Sequence, residues 1–147
     1  MRDLHNNLKI VQALEAIIVN NDTEGTGVVI DRQGYESLEI TVNVGASGDT
    51  LSGSVSLTLK IQHGDAANLS DAAAPDEKDI LGATSGTTTG AFALIDDPAE
   101  DSAVFKVGYI GSKRYVRLFV DTTGTHTNGT PIGAVGILGH PRHAPVA

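Results

Sequence analysis

Between Val104 and Val120 the chain reads Val-Phe-Lys-Val-Gly-Tyr-Ile-Gly-Ser-Lys-Arg-Tyr-Val-Arg-Leu-Phe-Val. Aromatic and β-branched residues suit a pleated, half-buried backbone, and the glycine-bearing Gly111-Ser112-Lys113 between the two runs is turn chemistry. The segment therefore predicts two strands joined by a tight hairpin. In its second half Val116, Leu118 and Val120 share one face and Tyr115, Arg117 and Phe119 the other. The aliphatic face is expected in the core, with Arg117 projecting outward between two aromatics.

Two further runs constrain the fold in the same way. Leu38, Ile40, Val42 and Val44 alternate with Glu39, Thr41 and Asn43, and Val55, Leu57, Leu59 and Ile61 alternate with Ser56, Thr58 and Lys60. Each is a strand with one buried and one solvated face, and the Gly/Ser/Asp-rich 45–53 stretch between them predicts a second antiparallel hairpin. Short strands are also expected at Val28–Ile30, Ala91–Ile95 and Ile132–Leu138. In the last of these, Gly133 and Gly136 signal a bulge or the close approach of a neighbouring backbone. Leu8–Val19 has near-helical apolar spacing, but its Ile-Ile-Val ending and the lack of a capping signal favour a strand or extended arm. His63–Gly90 is a long irregular segment, acidic at first and Gly/Thr-rich from Gly82 onward. No internal repeat is present.

These elements predict an all-β fold: a single-domain antiparallel β-sandwich or barrel with an extended N-terminal arm and a proline-containing C-terminal tail. The arm or first strand covers 1–19, the β core 20–139 and the tail 140–147. Pro141 and Pro145 exclude the tail from a central strand or a helix.

Charge and composition narrow the function. The formal net charge is −8, from 18 acidic and 10 basic residues. Sequence-independent attraction to nucleic acid or to an anionic membrane is not expected of such a chain. The apolar run near Ile10–Val19 is broken by Gln12 and Glu15, which suits neither a secretion signal nor a transmembrane helix, so the expectation is cytoplasmic assembly. There is no cysteine, so thiolate metal sites and disulfides are excluded.

The candidate chemistry is thin. His140 and His143 are separated by Pro141, His63 and Asp65 form a loose pair, and no histidine has the spacing of a zinc or iron site. The acidic loop from Asp65 to Asp79 lacks the calcium-loop pattern and reads as solvated. Gly-x-Ser-x-Gly is missing, and Gly111-Ser112-Lys113 falls short of a phosphate loop. No catalytic residues, cofactor or metal are therefore expected, and the chain reads as a non-enzyme. Four of the ten basic residues lie in the 104–120 segment: Lys106, Lys113, Arg114 and Arg117. A Tyr/Arg strip on an acidic chain suits a protein partner better than RNA or single strands, with a plain solvated strand between the two. The candidate interface residues are Arg2, His5, Lys113, Arg114, Tyr115, Arg117, His140, Arg142 and His143.

Three stretches carry a likeness to a known family: Ile30-Asp31-Arg32-Gln33-Gly34-Tyr35-Glu36-Ser37-Leu38-Glu39, Gly108-Tyr109-Ile110-Gly111-Ser112-Lys113-Arg114-Tyr115-Val116-Arg117, and Ile137-Leu138-Gly139-His140-Pro141-Arg142-His143-Ala144-Pro145. With the opening Met1-Arg2-Asp3-Leu4-His5-Asn6-Asn7, they resemble a family of small structural proteins of tailed bacteriophages and prophages. The similarity runs nearly end to end, and the Gly/Thr-rich 82–90 stretch is where this chain departs. The resemblance implies a virion protein of the capsid, a decoration (cement) protein whose partners are the major capsid protein and further copies of itself, with a trimer favoured. It transfers no catalytic residue. The alternatives it leaves are a head–tail connector, tail-terminator or tail-tube component, and, from a different class, an exterior host-surface or carbohydrate-binding module. The absence of tryptophan counts against the last.

Overall fold

The computed structural model describes residues 3–21, 23–83 and 89–146. Among the described residues, ten strands form two antiparallel sheets packed face to face. They are β1 (Lys9–Val19), β2 (Gly25–Thr26), β3 (Ile30–Asp31), β4 (Tyr35–Val44), β5 (Ser56–Gly64), β6 (Ile80–Leu81), β7 (Ala91–Ile95), β8 (Ala103–Tyr109), β9 (Tyr115–Thr123) and β10 (Thr130–Pro141). One sheet runs β1-β10-β4-β8-β6. The other runs β2-β9-β5-β7, with β3 also on β9. The fold is thus the sandwich of the two expected forms.

The alternating runs do what their period demands. Leu38, Ile40, Val42 and Val44 of β4 face Leu57, Leu59 and Ile61 of β5 and Val116, Leu118 and Val120 of β9 in one core, each at most 3% exposed. Burying such a side chain contributes about 1.5–3 kcal/mol, so the inner faces of these three strands dominate the stability.

Both expected hairpins are absent. β4 lies in one sheet and β5 in the other, and β8 and β9 are divided in the same way. β4 instead pairs with β10 and β8, from Leu38 opposite Tyr109 to Val44 opposite Ala103, while β9 pairs with β5 from Ser56 opposite Thr123 to Gly64 opposite Tyr115. The chain changes sheet at every connection except the break between β2 and β3, which share the edge of β9. Among the described residues no two strands adjacent in sequence pair with each other. The reason is that two runs with one apolar face each can bury those faces by lying side by side or by facing each other across a core. Alternation is satisfied by both arrangements.

At the N-terminal end the strand is the form taken of the two expected, and at the C-terminal end the tail departs from expectation. β1 is a full member of its sheet, from Lys9 opposite Leu138 to Val19 opposite Thr130, rather than a free arm. Its register shifts between Gln12 and Leu14, across from Val135 and Ala134, and between Leu14 and Ile17, across from Gly133. The bulge and backbone approach read from these glycines occur at Gly133, where a Cβ would stand 3.4 Å from Ala16 Cα; at Gly136 it is the Ile30 side chain that comes close, 2.7 Å from a Cβ. β10 runs on through His140 and Pro141, with Pro141 opposite Tyr35, so the tail is partly strand although it carries proline. Pro141 is the terminal residue of its strand, where a missing N–H costs least. Beyond it Arg142 N–H donates to Gly34 O at 2.9 Å and Val146 N–H to Asn6 O at 3.1 Å, which ties the tail to the 3–7 turn. The 65–79 segment stays irregular except for a short 3-10 turn at Glu77–Asp79. Residues 84–88 of the Gly/Thr-rich stretch lie outside the described residues.

Candidate functional site

The end of the sandwich that holds the β8–β9 connection gathers most of the candidate residues. Because β8 and β9 belong to different sheets, residues 110–114 arch across the core instead of turning within a sheet. An arch leaves its carbonyls without ladder partners, and Arg32, from the β3–β4 turn, supplies the donors. Its Nη1 donates to Gly111 O at 2.9 Å and to Lys113 O at 2.8 Å. The guanidinium lies 4.7 Å from the centre of the Tyr109 ring, a cation–π contact. Burial pulls Arg32 below the ordinary arginine range, although it stays charged, and its Nε has no hydrogen-bond partner among the described residues.

Tyr109, 1% exposed, folds back beneath the arch. A side chain at Gly111 would collide with its hydroxyl, 2.4 Å from where a Cβ would stand. The Tyr109 oxygen accepts from Lys113 N–H at 3.2 Å and lies 2.7 Å from His63 Nδ1. Burial lowers the His63 pKa and raises that of Tyr109.

The expected interface cations are largely engaged within the molecule. Arg114 grips Asp31 with Nε at 2.8 Å and Nη2 at 2.7 Å, also reaches Gln33, and stacks 5.0 Å over Tyr115. The hydrogen bond from Arg114 holds the Asp31 carboxyl below its usual range. Lys113 pairs with Asp65. Arg117 does point outward from β9, as its period requires, and donates to Gln62 at 2.7 Å. His140 adopts φ +50° and its Nδ1 is 2.8 Å from Ser37 Oγ. His5 and His143 are exposed, and Arg2 lies outside the described residues. The structure brings Lys113, Arg114 and Arg142 to one cleft with Arg32 and the 33–36 turn, while Tyr115 and Arg117 lie on the outer face of the second sheet. Arg32 is missing from the sequence candidates. Its only mark in the sequence is a position in the turn before β4, and its role depends on the arch.

A second surface was not legible at all. The outer face of the first sheet carries a shallow cleft across four strands, lined by Ile10, Gln12 and Ala16 of β1, Gly133 and Val135 of β10, Thr41 and Asn43 of β4, and Val104 of β8. None of its lining residues is charged. Ile10 and Val104 are each 66% exposed, and Val135 is 41% exposed.

Among the described residues no three His, Cys, Asp or Glu side chains group to hold a metal ion, and no helix is long and apolar enough to cross a membrane. The arrangement defines a two-sheet antiparallel sandwich. No family model and no curated protein matches the chain. Among solved structures it is similar to the crystal structure of the SPBc2 prophage-derived protein YomS, at 14% identity and a TM-score of 0.48, over 90% of this chain and 92% of that one.

Proposed function

We propose that this chain is a non-enzymatic structural protein of a phage virion, a capsid decoration protein that bridges major capsid subunits. The observation that carries the reading is the uncharged, partly apolar cleft on the outer face of the first sheet. In a chain where 19% of residues are charged, an exposed cleft that spans four strands without a charge is a surface suited to being covered. The resemblance of the 30–39, 108–117 and 137–145 stretches to phage structural proteins supplies the partner. A rigid sandwich with its ends tied down suits a part that must hold one shape on a repeated lattice.

The test is occupancy. Purified particles should carry many copies of the protein, and Val104→Asp/Val135→Asp should fold normally, because both sites are exposed, yet fail to decorate stripped capsids. A few copies at one vertex, or six- or twelve-fold rings in the tail, would replace this reading with the connector or tail-tube role. Undiminished decoration by the double variant would refute the face as the contact.

A further inference from the structure

Asn128 stands before Gly129 in the β9–β10 connection, and the pair is the one Asn-Gly dipeptide of the chain. The fold imposes the glycine: its φ is +77°, and a Cβ there would stand 2.6 Å from Val19 O. The same lack of a side chain leaves the Gly129 nitrogen unobstructed beside the Asn128 carboxamide. In such a pair the glycine nitrogen gives its proton to solvent base and bonds to the asparagine Cγ. The Cγ–Nδ2 bond breaks, and Nδ2 takes a proton from water and leaves as ammonia. Water then opens the cyclic imide to an aspartyl or isoaspartyl residue. Asn128 is exposed, so water reaches it.

One side chain holds both partners of that reaction apart. Asp49, from the β4–β5 loop, accepts from Gly129 N–H through Oδ2 at 2.7 Å and from Asn128 N–H through Oδ1 at 3.0 Å. The carboxamide is anchored too, because Nδ2 donates to Gly48 O at 3.1 Å and to Asp49 Oδ1 at 3.2 Å. The N–H groups of Asn128 and Gly129 hold the Asp49 carboxyl below its usual range. A Gly129 nitrogen that lost its proton here would set negative charge against that carboxylate, which disfavours the step. Swinging Cγ onto the nitrogen also requires the Nδ2 bonds to open.

We propose that Asn128-Gly129 is a covalent modification site, deamidated when the β4–β5 loop opens and guarded by Asp49 while that loop is closed. The product favours the open state. A carboxylate at position 128 faces Gly48 O and the Asp49 carboxylate, acceptor against acceptor, where the amide donated. The neighbouring bonds from Gly48 N–H to Gly129 O at 2.9 Å and from Gly45 N–H to Pro131 O at 2.8 Å tie the same loop to the start of β10. Deamidation therefore loosens the junction of β4 and β10 at this end of the sandwich. Because it is irreversible, it records how often that end has opened. The site lies apart from the apolar cleft of the first sheet and does not depend on the virion reading.

Mass spectrometry of the aged, isolated protein tests it. Trypsin releases residues 118–142, in which Asn128 is the only side-chain amide, so the mass gained when an amide becomes an acid reports this site alone. Folded wild-type protein in mildly alkaline buffer should convert at least about tenfold more slowly than the same protein in urea, because hydrogen bonds of ordinary strength must open first. Asp49→Ala, shown to be folded by its thermal transition, should convert about tenfold faster than folded wild type. Asp49→Asn keeps an acceptor without the charge and should fall between the two, and it carries the test where Asp49→Ala does not fold. Asn128→Gln should show no conversion over the same period, and Asn128→Asp should unfold at a lower Tm than wild type. Equal rates for folded and urea-unfolded wild type, folded Asp49 variants as slow as wild type, a mass gain that persists in Asn128→Gln, or Asn128→Asp as stable as wild type would each overturn the proposal. Capsid decoration is measured separately on particles, so failure here and failure of the virion reading are distinguishable.

Discussion

Replacing Arg32 with methionine tests whether the β8–β9 arch is held by that one side chain. Methionine keeps most of the stem's packing and deletes the two bonds from Nη1 to Gly111 O and Lys113 O, together with the contact on Tyr109. A hydrogen bond from a charged donor contributes about 1.5–3 kcal/mol, so two at the lower end give about 3 kcal/mol. The cation–π contact adds about 1 kcal/mol. Against this, the variant no longer desolvates a half-buried charge that lacks a carboxylate, which offsets roughly 1–2 kcal/mol. The net expected loss is about 2–3 kcal/mol. With a urea m-value of about 2 kcal/mol/M, the unfolding midpoint should fall by about 1–1.5 M at unchanged m. Arg32→Lys should recover only part of it, because an ammonium lacks the planar fork. A midpoint shift worth less than about 0.5 kcal/mol in Arg32→Met would refute the argument, since it would mean that water serves the arch carbonyls as well as the guanidinium does.

Two further expectations concern stability. Gly124 has φ +82° and a Cβ there would stand 2.0 Å from Ser54 O, so Gly124→Ala should cost about 3 kcal/mol and lower Tm by about 6–12 °C, whereas Gly53→Ala, with open space around it, should leave Tm unchanged. His63 has a folded pKa below its unfolded value of about 6.5, so the unfolded chain binds the extra proton. Stability should therefore be complete above about pH 6.5 and decline as pH falls through that value towards the lower folded pKa. Asp79, Asp65 and Asp76 oppose the burial effect and Lys113 reinforces it. Urea unfolding of wild-type protein and His63→Gln at about pH 7.5 and 5.5 checks this: the variant should lose less between the two, and equal losses would assign the titration elsewhere.

The elements were legible in the sequence where one side of a strand is all aliphatic. β4, β5, β7 and β9 lie where alternation or apolar runs place them, and the outward position of Arg117 follows from the same period. Pairing was not legible. Alternation such as that of Leu38, Ile40, Val42 and Val44 states which side of a strand is buried. It is silent on whether the neighbour in sequence lies beside that strand or across the core. Gly111-Ser112-Lys113 reads as a two-strand turn because an arch also needs a glycine, here to admit the Tyr109 ring. The same gap hid the candidate site. Arg32 gains its role from residues some eighty positions away, and the uncharged cleft combines β1, β10, β4 and β8, which only the sheet order brings together.

The alternation of the chain between sheets has a kinetic consequence. Without a local hairpin, no pair of sequence neighbours can zip and serve as a seed, and each ladder waits for a distant stretch. β1 cannot enter its sheet until β10, the last strand of the sequence, exists to receive it, since Lys9 pairs with Leu138. Closure of such long loops precedes any stabilising contact, which places folding in the slow, millisecond-to-second class of non-local β proteins. On the ribosome, the edge of β4 that β10 finally covers stays open until synthesis of the described strands is complete. Crowded copies made together are most exposed to mispairing during that interval.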